Sequence, residues 1–362
     1  MKILHIIPNL QTGGAESLMV DLLPRLQDEG NCVELLLFDG IRTPFYNILE
    51  AKGIRIHTLG TIKNVYHPLY LWRMYRFLRC NKYDVIHTHN TAPQLFAALC
   101  SALCTMILCT TEHSTSNRRR SWKWYRPIDK WMYSRYRRII CISDAAEKNL
   151  REHLKLQQDD AICTIYNGVD VKRYTEARPT EDIHPIHGRK AIIMVGRFCY
   201  QKDQDTLIRA IALLPEERYE LWLSGNGERE NELRKLSIQL GVEKRVRFLG
   251  IRMDVANVLK AADIVIMSSH FEGLSLSNIE GMASGRPFVA SDVDGLREVT
   301  NGYGILFPHE DAQALANTLR QLSQDTNYYD EIVKRCLERA MQYDISEMAK
   351  KYNEVYYQVY KK

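Results

Sequence analysis

The chain has 362 residues, of which 45% are hydrophobic and 26% are charged, and its net charge is +5. This composition is typical of a globular protein, and the length favours two domains over a single hydrophobic core. The first ten residues do not resemble a signal peptide, and the longest apolar stretch, Leu95–Cys109, is shorter than a membrane span of roughly 20 residues. Nine scattered cysteines without a C-x-x-C motif indicate reduced thiols in a cytoplasm, with no zinc site.

Positive charge is concentrated in the first half of the sequence. Residues 1–180 carry 25 basic and 17 acidic side chains, whereas residues 181–362 carry 24 and 27. The excess is largest in Lys63–Arg138, which has 14 basic and 3 acidic side chains. We therefore expect the first half to bind an anionic partner.

The first half alternates between predicted strands and helices. Lys2–Pro8 is a short apolar strand, and Thr12–Glu16 opens a helix that continues through Asp28 and ends at Gly30. Further helices are predicted at Tyr70–Cys80 and Leu95–Leu103. Strands are predicted at Cys32–Phe38, Ile54–Leu59, Val85–Thr88, Met106–Thr110 and Arg138–Ile142. Strands separated by helices pair in parallel through right-handed crossovers.

The alternation stops at Asn167–Lys190, which is rich in proline and mixed charge, and then begins again. The later strands are predicted at Ala191–Val195, Tyr219–Ser224, Val246–Leu249, Ile264–Ser268 and Pro287–Ser291, with helices such as Asp203–Leu214 and Glu228–Leu240 between them. The sequence thus predicts an α/β fold of two Rossmann-like, doubly wound domains facing across a cleft. We place a first domain at 1–175, a linker at 176–190, a second domain at 191–345, and a carboxy-terminal helix at 346–362 that returns to the first domain.

Gly13 and Gly14 lie between the first strand and the first helix. Glycines let a ligand approach the backbone closely, and a helix amino terminus offers unpaired N–H groups to an anion. The spacing is not the G-x-G-x-x-G of dinucleotide-binding folds, and an ordinary strand-to-helix turn explains the pair equally well.

Two cations follow the strand at Ala191–Val195. Arg197 comes directly after it, and Lys202 precedes the next helix. Ligands of open parallel sheets bind at the carboxyl ends of the strands, where two cations suit a diphosphate. Two solvated surface charges are the alternative interpretation.

Glu272 and Glu280 lie eight positions apart in a segment of mostly apolar and small side chains. Buried carboxylates need a partner. If a helix starts near Ser275–Ser277, the free N–H groups of Gly273–Leu276 lie between the two carboxylates, which suits a phosphate flanked by sugar hydroxyls. A helix dipole stabilised by acid explains Glu280 but explains Glu272 poorly.

Two further groups are weaker candidates. His87 and His89 alternate on a strand as metal ligands could, but such a pair is more often structural. Residues 118–138 contain nine basic side chains and one acidic, interleaved with aromatics. A solvated helix, a membrane interface and a nucleic-acid site are possible, and the mixture of Trp and Tyr with Arg and Lys favours the membrane.

Taken in order, these motifs resemble the retaining glycosyltransferases of family 4, which have the GT-B fold. The resemblance covers almost the whole chain. In the second half it rests on Glu272 and Glu280 and on V-G-R-F-C-Y-Q-K-D (195–203), S-G-N-G-E-R-E (224–230) and V-R-F-L-G (246–250). In the first half it rests on G-G-A-E (13–16), H-T-H-N (87–90), T-E-H-S (111–114) and the turn at Asn167–Asp170. Pro24 and the small side chains Ser275 and Ser277 depart from the family pattern.

The resemblance implies that the domain at 1–175 binds the acceptor and that the domain at 191–345 binds the nucleotide sugar, and it implies a role for each matching residue. Arg197 and Lys202 would bind the diphosphate of the donor, while Glu280 would hold the ribose and Glu272 the transferred sugar. His113 would hydrogen-bond the primary hydroxyl of that sugar. The implied catalytic residues are His113, Glu272, Arg197 and Lys202. The implied donor site also contains Gly13, Gly14, Gly225, Asn226, Leu249, Gly273, Leu274, Ser275 and Glu280. Acceptor or membrane contacts are assigned to Glu16, Arg118, Arg119, Arg120, Trp122 and Trp124.

The function implied is transfer of a hexose from a nucleoside-diphosphate sugar co-substrate, UDP-sugar favoured over GDP-sugar, to a lipid-linked or oligosaccharide acceptor. Such an enzyme would build a surface polysaccharide, in the cytoplasm and peripheral on the inner, anionic face of the membrane. No metal, cofactor or nucleic acid is expected; the D-x-D at Asp292–Asp294 lies after the strand at Pro287–Ser291. A sugar-nucleotide epimerase or a phosphorylase on the same fold, and a catalytically silent binding module, are the alternatives. A phosphorylase would need a pyridoxal lysine, which no motif supports.

Overall fold

The structure is a computed structural model that describes residues 1–11, 13–113, 122–156, 161–186 and 188–361. The chain divides into two compact units. Unit 1 comprises Met1–Gly168 and Ile345–Lys362, and unit 2 comprises Val169–Asp344. The division falls after Gly168, before the end of the first domain expected at residue 175.

Unit 1 is built on a parallel sheet of seven strands. These are β1 (Lys2–Ile7), β2 (Cys32–Leu37), β3 (Arg55–Thr58), β4 (Val85–His89), β5 (Leu108–Glu112), β6 (Arg138–Cys141) and β7 (Ile162–Thr164). Their order is β3-β2-β1-β4-β5-β6-β7. The strands β1, β2, β4, β5 and β6 are buried along nearly their whole length, as expected for parallel strands that are covered on both faces.

The helices of unit 1 follow its strands in alternation. They are α1 (Gly14–Asp28), α2 (Pro44–Ala51), α3 (Pro68–Cys80), α4 (Thr91–Ser101), α5 (Arg126–Tyr133) and α6 (Asp144–Leu154). The helix α1 continues through Pro24. The helix α4 begins at Thr91, four residues before the predicted start, because Asn90 turns the chain with a positive φ of 68° directly after β4.

Unit 2 repeats the architecture with six parallel strands. These are β8 (Lys190–Val195), β9 (Tyr219–Ser224), β10 (Val246–Gly250), β11 (Ile264–Met267), β12 (Phe288–Ser291) and β13 (Ile305–Phe307), in the order β10-β9-β8-β11-β12-β13. The helices are α7 (Val171–Thr175), α8 (Gln204–Ala212), α9 (Glu230–Gln239), α10 (Val255–Ala261), α11 (Leu276–Ala283), α12 (Arg297–Thr300), α13 (Ala312–Gln324) and α14 (Thr326–Met341). The α/β class and the two doubly wound sheets are confirmed.

The last helix, α15 (Ile345–Lys361), belongs to unit 1, where it packs against α1. Its buried positions recur every three or four residues and include Tyr352 and Tyr356. The side-chain amide of Asn31 donates a hydrogen bond of 2.9 Å to Asn353 Oδ1, which adds a polar contact to this apolar interface.

In both sheets the strand order reverses next to the first strand, between β1 and β4 in unit 1 and between β8 and β11 in unit 2. In doubly wound sheets, ligands bind at the carboxyl ends of the strands beside such a reversal. The fold therefore directs attention to the loops that follow these strands.

Candidate functional site

In unit 2 the loops after β8 and β9 are joined by backbone hydrogen bonds. The N–H of Gly196 donates to Ser224 O at 2.9 Å, and the N–H of Phe198 donates to Asn226 O at 2.8 Å. Gly225 has a φ of 142°, and a Cβ there would overlap the carbonyl oxygen of Gly196. Glycine is therefore required at 225 for the two loops to meet, and their contact fixes the backbone on both sides of Arg197.

The loop after β10 joins the same group. The N–H of Gly225 donates to Gly250 O at 2.8 Å, and Phe248 packs edge-on against Phe198 with ring centroids 5.9 Å apart. The structure thus places the predicted donor-site residues Gly225, Asn226 and Leu249 on neighbouring loops and strands, with Asn226 exposed. That they bind the donor stays a prediction.

The contacts of Glu272 explain how its carboxylate can be buried. Its Oε1 accepts hydrogen bonds from Lys202 Nζ at 2.6 Å and from Ser269 Oγ at 2.7 Å. Its Oε2 accepts one from Gln201 Nε2 at 3.3 Å. The side chains of Lys202 and Glu272 are only 14% and 7% exposed, so each charge depends on the other for compensation.

The backbone around this ion pair is held in place from both sides. Asp203 Oδ1 accepts from Thr206 N at the start of α8, and Asp203 O accepts from Ser268 Oγ at 2.7 Å. Glu272 N donates to Asp294 O at 3.2 Å. Gly295 has a φ of 85°, and a Cβ there would overlap the backbone of Glu272. These contacts position the two charges at the carboxyl ends of β8 and β11.

Arg197 differs from its neighbour Lys202 because its side chain is exposed. Its carbonyl oxygen accepts a hydrogen bond of 2.9 Å from Gln204 Nε2, which orients the backbone. Within the described part of the chain, no carboxylate pairs with its guanidinium. Arg197 is therefore a cation that an anionic ligand can reach without displacing a protein partner.

The amino terminus of α11 follows Glu272 directly. Ser275 is the N-cap residue, but its side chain makes no capping hydrogen bond, so the first N–H groups of the helix have no side-chain acceptor there. Gly273 and Leu274 form the approach to this terminus. Glu280 is the fifth residue of the helix, beyond its first turn, so stabilisation of the helix dipole does not account for it.

Two groups of side chains in unit 2 contain residue types that can bind a metal ion. Asp292 and Asp294, the aspartates of the D-x-D sequence, are both paired with Arg297, at 2.5 and 3.1 Å. Asp203, His270 and His309 offer ligand atoms within 4.8 Å of one another. However, His270 Nδ1 and His309 Nε2 lie 2.7 Å apart, a hydrogen-bond distance.

Two imidazole nitrogens bound to one tetrahedral zinc would lie about 3.3 Å apart, because each Zn–N bond measures about 2.05 Å. The pair formed by His270 and His309 is therefore arranged as a hydrogen bond. That the protein needs no metal and no cofactor stays a prediction.

In unit 1, Gly13 and Gly14 lie at the amino terminus of α1. Gly13 is extended, and a Cβ there would overlap only the flexible carboxylate of Glu16. A Cβ at Gly14 would have no neighbour within 4 Å. The fold itself therefore does not require glycine at 14, which is consistent with a requirement set by a ligand.

His113 lines a cavity of about 340 Å³ at the carboxyl ends of β4 and β5, together with Pro8, Val65, Tyr66, Asn90, Thr91, Ala92, Gln94, Thr111 and Glu112. Burial lowers the pKa of His113 to about 4, so its imidazole is neutral at neutral pH. Its Nε2 is 2.9 Å from His89 Nδ1. Glu112 accepts hydrogen bonds from Gln94 at 2.7 Å and from the Tyr133 hydroxyl at 2.5 Å.

His87 and His89 are fully buried beside His5, and their nitrogens hydrogen-bond side chains of unit 1. The interpretation of this pair as structural is therefore supported. Sequence reasoning did not include His5, Tyr352 or Tyr356 in this group. The sequence feature that could have indicated His5 is its position on the first strand, which matches that of His87 on β4.

The basic segment is partly outside the described residues, which exclude Arg118, Arg119 and Arg120. Trp122 and Trp124 are 44% and 67% exposed, and their rings are stacked with centroids 5.8 Å apart. They form an exposed aromatic surface before α5.

Comparison with known proteins assigns the family. Residues 12–173 match the model of Glycosyltransferase Family 4, and residues 179–339 match that of Glycosyl transferases group 1. The chain is 30% identical over 316 residues to D-inositol 3-phosphate glycosyltransferase of Corynebacterium aurimucosum, covering 78% of this chain and 74% of the relative. The chain belongs to family 4 of the glycosyltransferases.

Two further similarities extend this assignment. The glycosyltransferase is 27% identical over 271 residues to an Escherichia coli UDP-Gal:alpha-D-GlcNAc-diphosphoundecaprenol alpha-1,3-galactosyltransferase, covering 70% of this chain and 69% of the relative. Its fold matches a crystal structure of Anabaena HepE in complex with UDP and glucose, with a TM-score of 0.84, 23% identity, and coverage of 98% and 99% of the two chains. The predicted GT-B fold is confirmed.

The buried ion pair generates a prediction about stability. Replacing Lys202 with Met leaves the Glu272 carboxylate buried without its cation, so we expect unit 2 to lose about 3 kcal/mol of stability. Adding Glu272→Gln removes the uncompensated charge and should restore more than half of the loss. Native-state hydrogen exchange of unit 2 amides measures both changes without assuming that the two units unfold together. A double variant as unstable as Lys202→Met alone would contradict the proposed pairing.

Proposed function

We propose that this glycosyltransferase is a retaining, metal-independent hexosyltransferase that uses a UDP-sugar and a lipid-linked glycan acceptor in surface polysaccharide biosynthesis. The observation that carries the proposal is the buried pair of Lys202 and Glu272 beside the exposed Arg197, at the reversal of strand order in unit 2. This arrangement offers cations for a diphosphate and a carboxylate for sugar hydroxyls within one small region.

The diphosphate would be bound by Arg197, by Lys202 and by the first N–H groups of α11. Arg197 needs no rearrangement, whereas Lys202 would share its ammonium group between Glu272 and a phosphate oxygen. Positive side chains and a helix amino terminus stabilise the negative charge that develops on a leaving diphosphate. A metal ion is therefore not required for that purpose.

The sugar and the ribose would be bound by the two carboxylates. Glu272 has two oxygens already oriented by Lys202, Ser269 and Gln201, and it would accept hydrogen bonds from hydroxyls of the transferred sugar. Glu280 would accept hydrogen bonds from the ribose. In unit 1, the neutral His113 would hydrogen-bond the primary hydroxyl of the sugar.

Retention would follow from attack on the same face as the departing group. The acceptor oxygen forms a bond to the anomeric carbon while the bond from that carbon to the phosphate oxygen breaks. The proton of the acceptor hydroxyl passes to the leaving phosphate. This route uses no covalent enzyme intermediate, so no nucleophilic side chain is needed.

The preference for UDP and for a lipid-linked acceptor is supported by the names of similar proteins. The structurally similar HepE was crystallised with UDP and glucose, and the Escherichia coli relative is named for UDP-Gal and a diphosphoundecaprenol acceptor. An enzyme that uses a lipid-linked acceptor would act at a membrane surface. None of the helices in the described part of the chain has both the length and the apolar character needed to cross a membrane.

A surface suited to a membrane interface lies on α3. Trp72 is 54% exposed, and Arg76 stacks over its ring at 5.7 Å. Arg79 is also exposed, and Leu69 lies one turn before Arg73 on the same helix. Exposed aromatic side chains beside arginines are typical of peripheral binding to anionic headgroups. Trp122 and Trp124 form a second exposed aromatic surface in unit 1.

Binding of UDP tests the role of Arg197. The variant Arg197→Ala should weaken UDP by about 1.5–3 kcal/mol, roughly 10- to 150-fold, because it removes a charge-assisted contact. Arg209→Ala is a matched control, since Arg209 is an exposed arginine of the same unit at the far end of α8. Isothermal calorimetry with UDP, and with GDP for comparison, measures the effect. Equal affinities in the two variants would place the diphosphate elsewhere.

Transfer of a labelled hexose from a UDP-sugar to extracted lipid-linked glycans tests the reaction and divides the roles of the carboxylates. With EDTA present, Glu272→Gln should lower the transfer rate at least tenfold without lowering affinity for UDP, because it removes a negative charge from beside Lys202. Glu280→Gln should instead lower the affinity for UDP itself by about tenfold.

Several outcomes of this assay would reject the proposal. They are loss of transfer in EDTA, inversion at the anomeric carbon seen by NMR, release of an epimerised sugar nucleotide, and binding of UDP-sugars without turnover. The last two would indicate the epimerase and the silent binding module respectively.

Vesicle sedimentation tests the membrane surface. We expect the protein to bind anionic vesicles and to be released by high salt, since headgroup attraction contributes about 1 kcal/mol per basic residue and is screened by ions. Replacing Trp72, Trp122 and Trp124 with Ser should reduce vesicle binding while leaving UDP affinity unchanged. Equal binding to neutral and anionic vesicles, or binding to neither, would favour a soluble acceptor.

A further inference from the structure

A buried group of hydrogen-bonded side chains connects α15 to the sheet of unit 1. The hydroxyl of Tyr352 lies 2.9 Å from Thr111 Oγ1, which lies 2.8 Å from His87 Nε2. The other nitrogen of that ring, Nδ1, is 2.8 Å from the hydroxyl of Tyr356. Tyr352 and Tyr356 are one helical turn apart, so both hydroxyls reach the same face of the sheet.

The group continues through three more histidines to the cavity. The hydroxyl of Tyr356 is 3.3 Å from His5 Nε2, and His5 Nδ1 is 2.9 Å from His89 Nε2. His89 Nδ1 is 2.9 Å from His113 Nε2. The parallel register brings these rings together, because His5 on β1 lies opposite His87 on β4. We call these seven residues the histidine network: Tyr352, Thr111, His87, Tyr356, His5, His89 and His113.

Each imidazole of the histidine network is neutral and so carries one N–H. Burial lowers the pKa of His5 to about 3 and that of His113 to about 4, and it holds the pKa values of His87 and His89 well below the ordinary range. A neutral imidazole donates from one nitrogen and accepts at the other. The direction of one hydrogen bond therefore determines the direction of the next.

The direction is decided at Tyr352, at the opposite end of the histidine network from His113. Within the described ranges, Thr111 Oγ1 is the one polar partner of the Tyr352 hydroxyl, which is fully buried. If Tyr352 donates, Thr111 donates to His87 Nε2, and every later donor has an acceptor. In the opposite direction, a buried O–H at Tyr352 or Thr111 has no acceptor among the residues that the structure describes, which is unfavourable.

We infer that the paired hydroxyls of Tyr352 and Thr111 orient the whole histidine network and hold His113 as its Nδ1–H tautomer, so that this ring presents a donor to the cavity. His113 Nε2 accepts from His89 Nδ1–H, and its own Nδ1–H has no partner among the described residues. Tyr352, Thr111 and Tyr356 are thus positioning residues that act on His113 through the histidines between them.

This has a consequence that rests on the proposed function. A ring that presents N–H can donate a hydrogen bond to a hydroxyl oxygen of the sugar, but its cavity-facing nitrogen cannot remove a proton from the acceptor. His113 is therefore assigned to orientation of the sugar, and general-base catalysis by this ring is excluded.

Long-range ¹H–¹⁵N NMR of the histidine-labelled protein at pH 8 tests the tautomers directly, without any substrate. We expect His5, His87, His89 and His113 all to carry the proton on Nδ1. His184 is an internal reference of opposite type, since its Nε2 donates to the carbonyl oxygen of Glu181 at 2.9 Å. An Nε2–H tautomer at any of the four network histidines in the unmodified protein would overturn the inference.

Two variants then test what sets the direction. Thr111→Val keeps the size of the side chain but removes the hydroxyl that donates to His87 Nε2, so the Nε2–H tautomer of His113 should become populated. In Tyr352→Phe the hydroxyl of Thr111 can still donate to His87, so the Nδ1–H tautomer should persist. Tyr70→Phe is the matched control, because Tyr70 is an equally buried tyrosine of unit 1 whose hydroxyl bonds Gly60 and Ile62 outside the histidine network. Its spectrum should match that of the unmodified protein. An unchanged His113 tautomer in Thr111→Val would show that another group sets the direction.

The transfer assay adds a separate readout. If the proposed function holds, Thr111→Val should lower the transfer rate several-fold with UDP affinity unchanged, and Tyr70→Phe should change neither. A protein that transfers no sugar but shows the four Nδ1–H tautomers would reject the proposed function and keep the inference about Tyr352 and Thr111. Active transfer by a protein whose network histidines carry the proton on Nε2 would keep the proposed function and reject the inference.

Discussion

The buried ion pair between Lys202 and Glu272 is the constraint on which the unit 2 site depends. A carboxylate that is 7% exposed must have its charge balanced, and the lysine, Ser269 and Gln201 do so from adjacent loops. The strand order brings β8 and β11 together, and the glycines that allow close backbone contact fix the loops that follow. Without the pair, neither charge could remain at this position, and the cationic region would not exist in its present form.

Unit 1 meets the same constraint with neutral groups. Its cavity is backed by four histidines that burial keeps uncharged, and hydrogen bonds to two tyrosines of α15 satisfy them. A neutral network cannot stabilise a diphosphate, but it can fix which atoms are donors. The difference suits the two kinds of ligand that the proposed reaction needs, because charged groups bind the donor diphosphate and fixed dipoles orient hydroxyls.

Much of the fold could be predicted because buried parallel strands are continuous apolar runs separated by helices. The short strands β7 and β13 were missed, since three residues show no periodicity. For the site, the position of Arg197, Lys202 and Glu272 after strands was predictable from spacing. Their pairing was not, because Lys202 and Glu272 are 70 residues apart and meet only through the order of the strands. The roles assigned to these residues remain predictions.

The histidine network shows most clearly where local reasoning stops. His87 and His89 could be noted as an alternating pair on a strand, but their partners Tyr352 and Tyr356 lie on the last helix of the chain. Those tyrosines occupy positions of the apolar face of α15, where a sequence pattern indicates only core packing. The role of their hydroxyls becomes evident only when the helix is placed on the sheet, because each buried O–H then needs an acceptor. The ordinary requirement that buried donors have acceptors thereby determines which tautomer His113 adopts at the cavity.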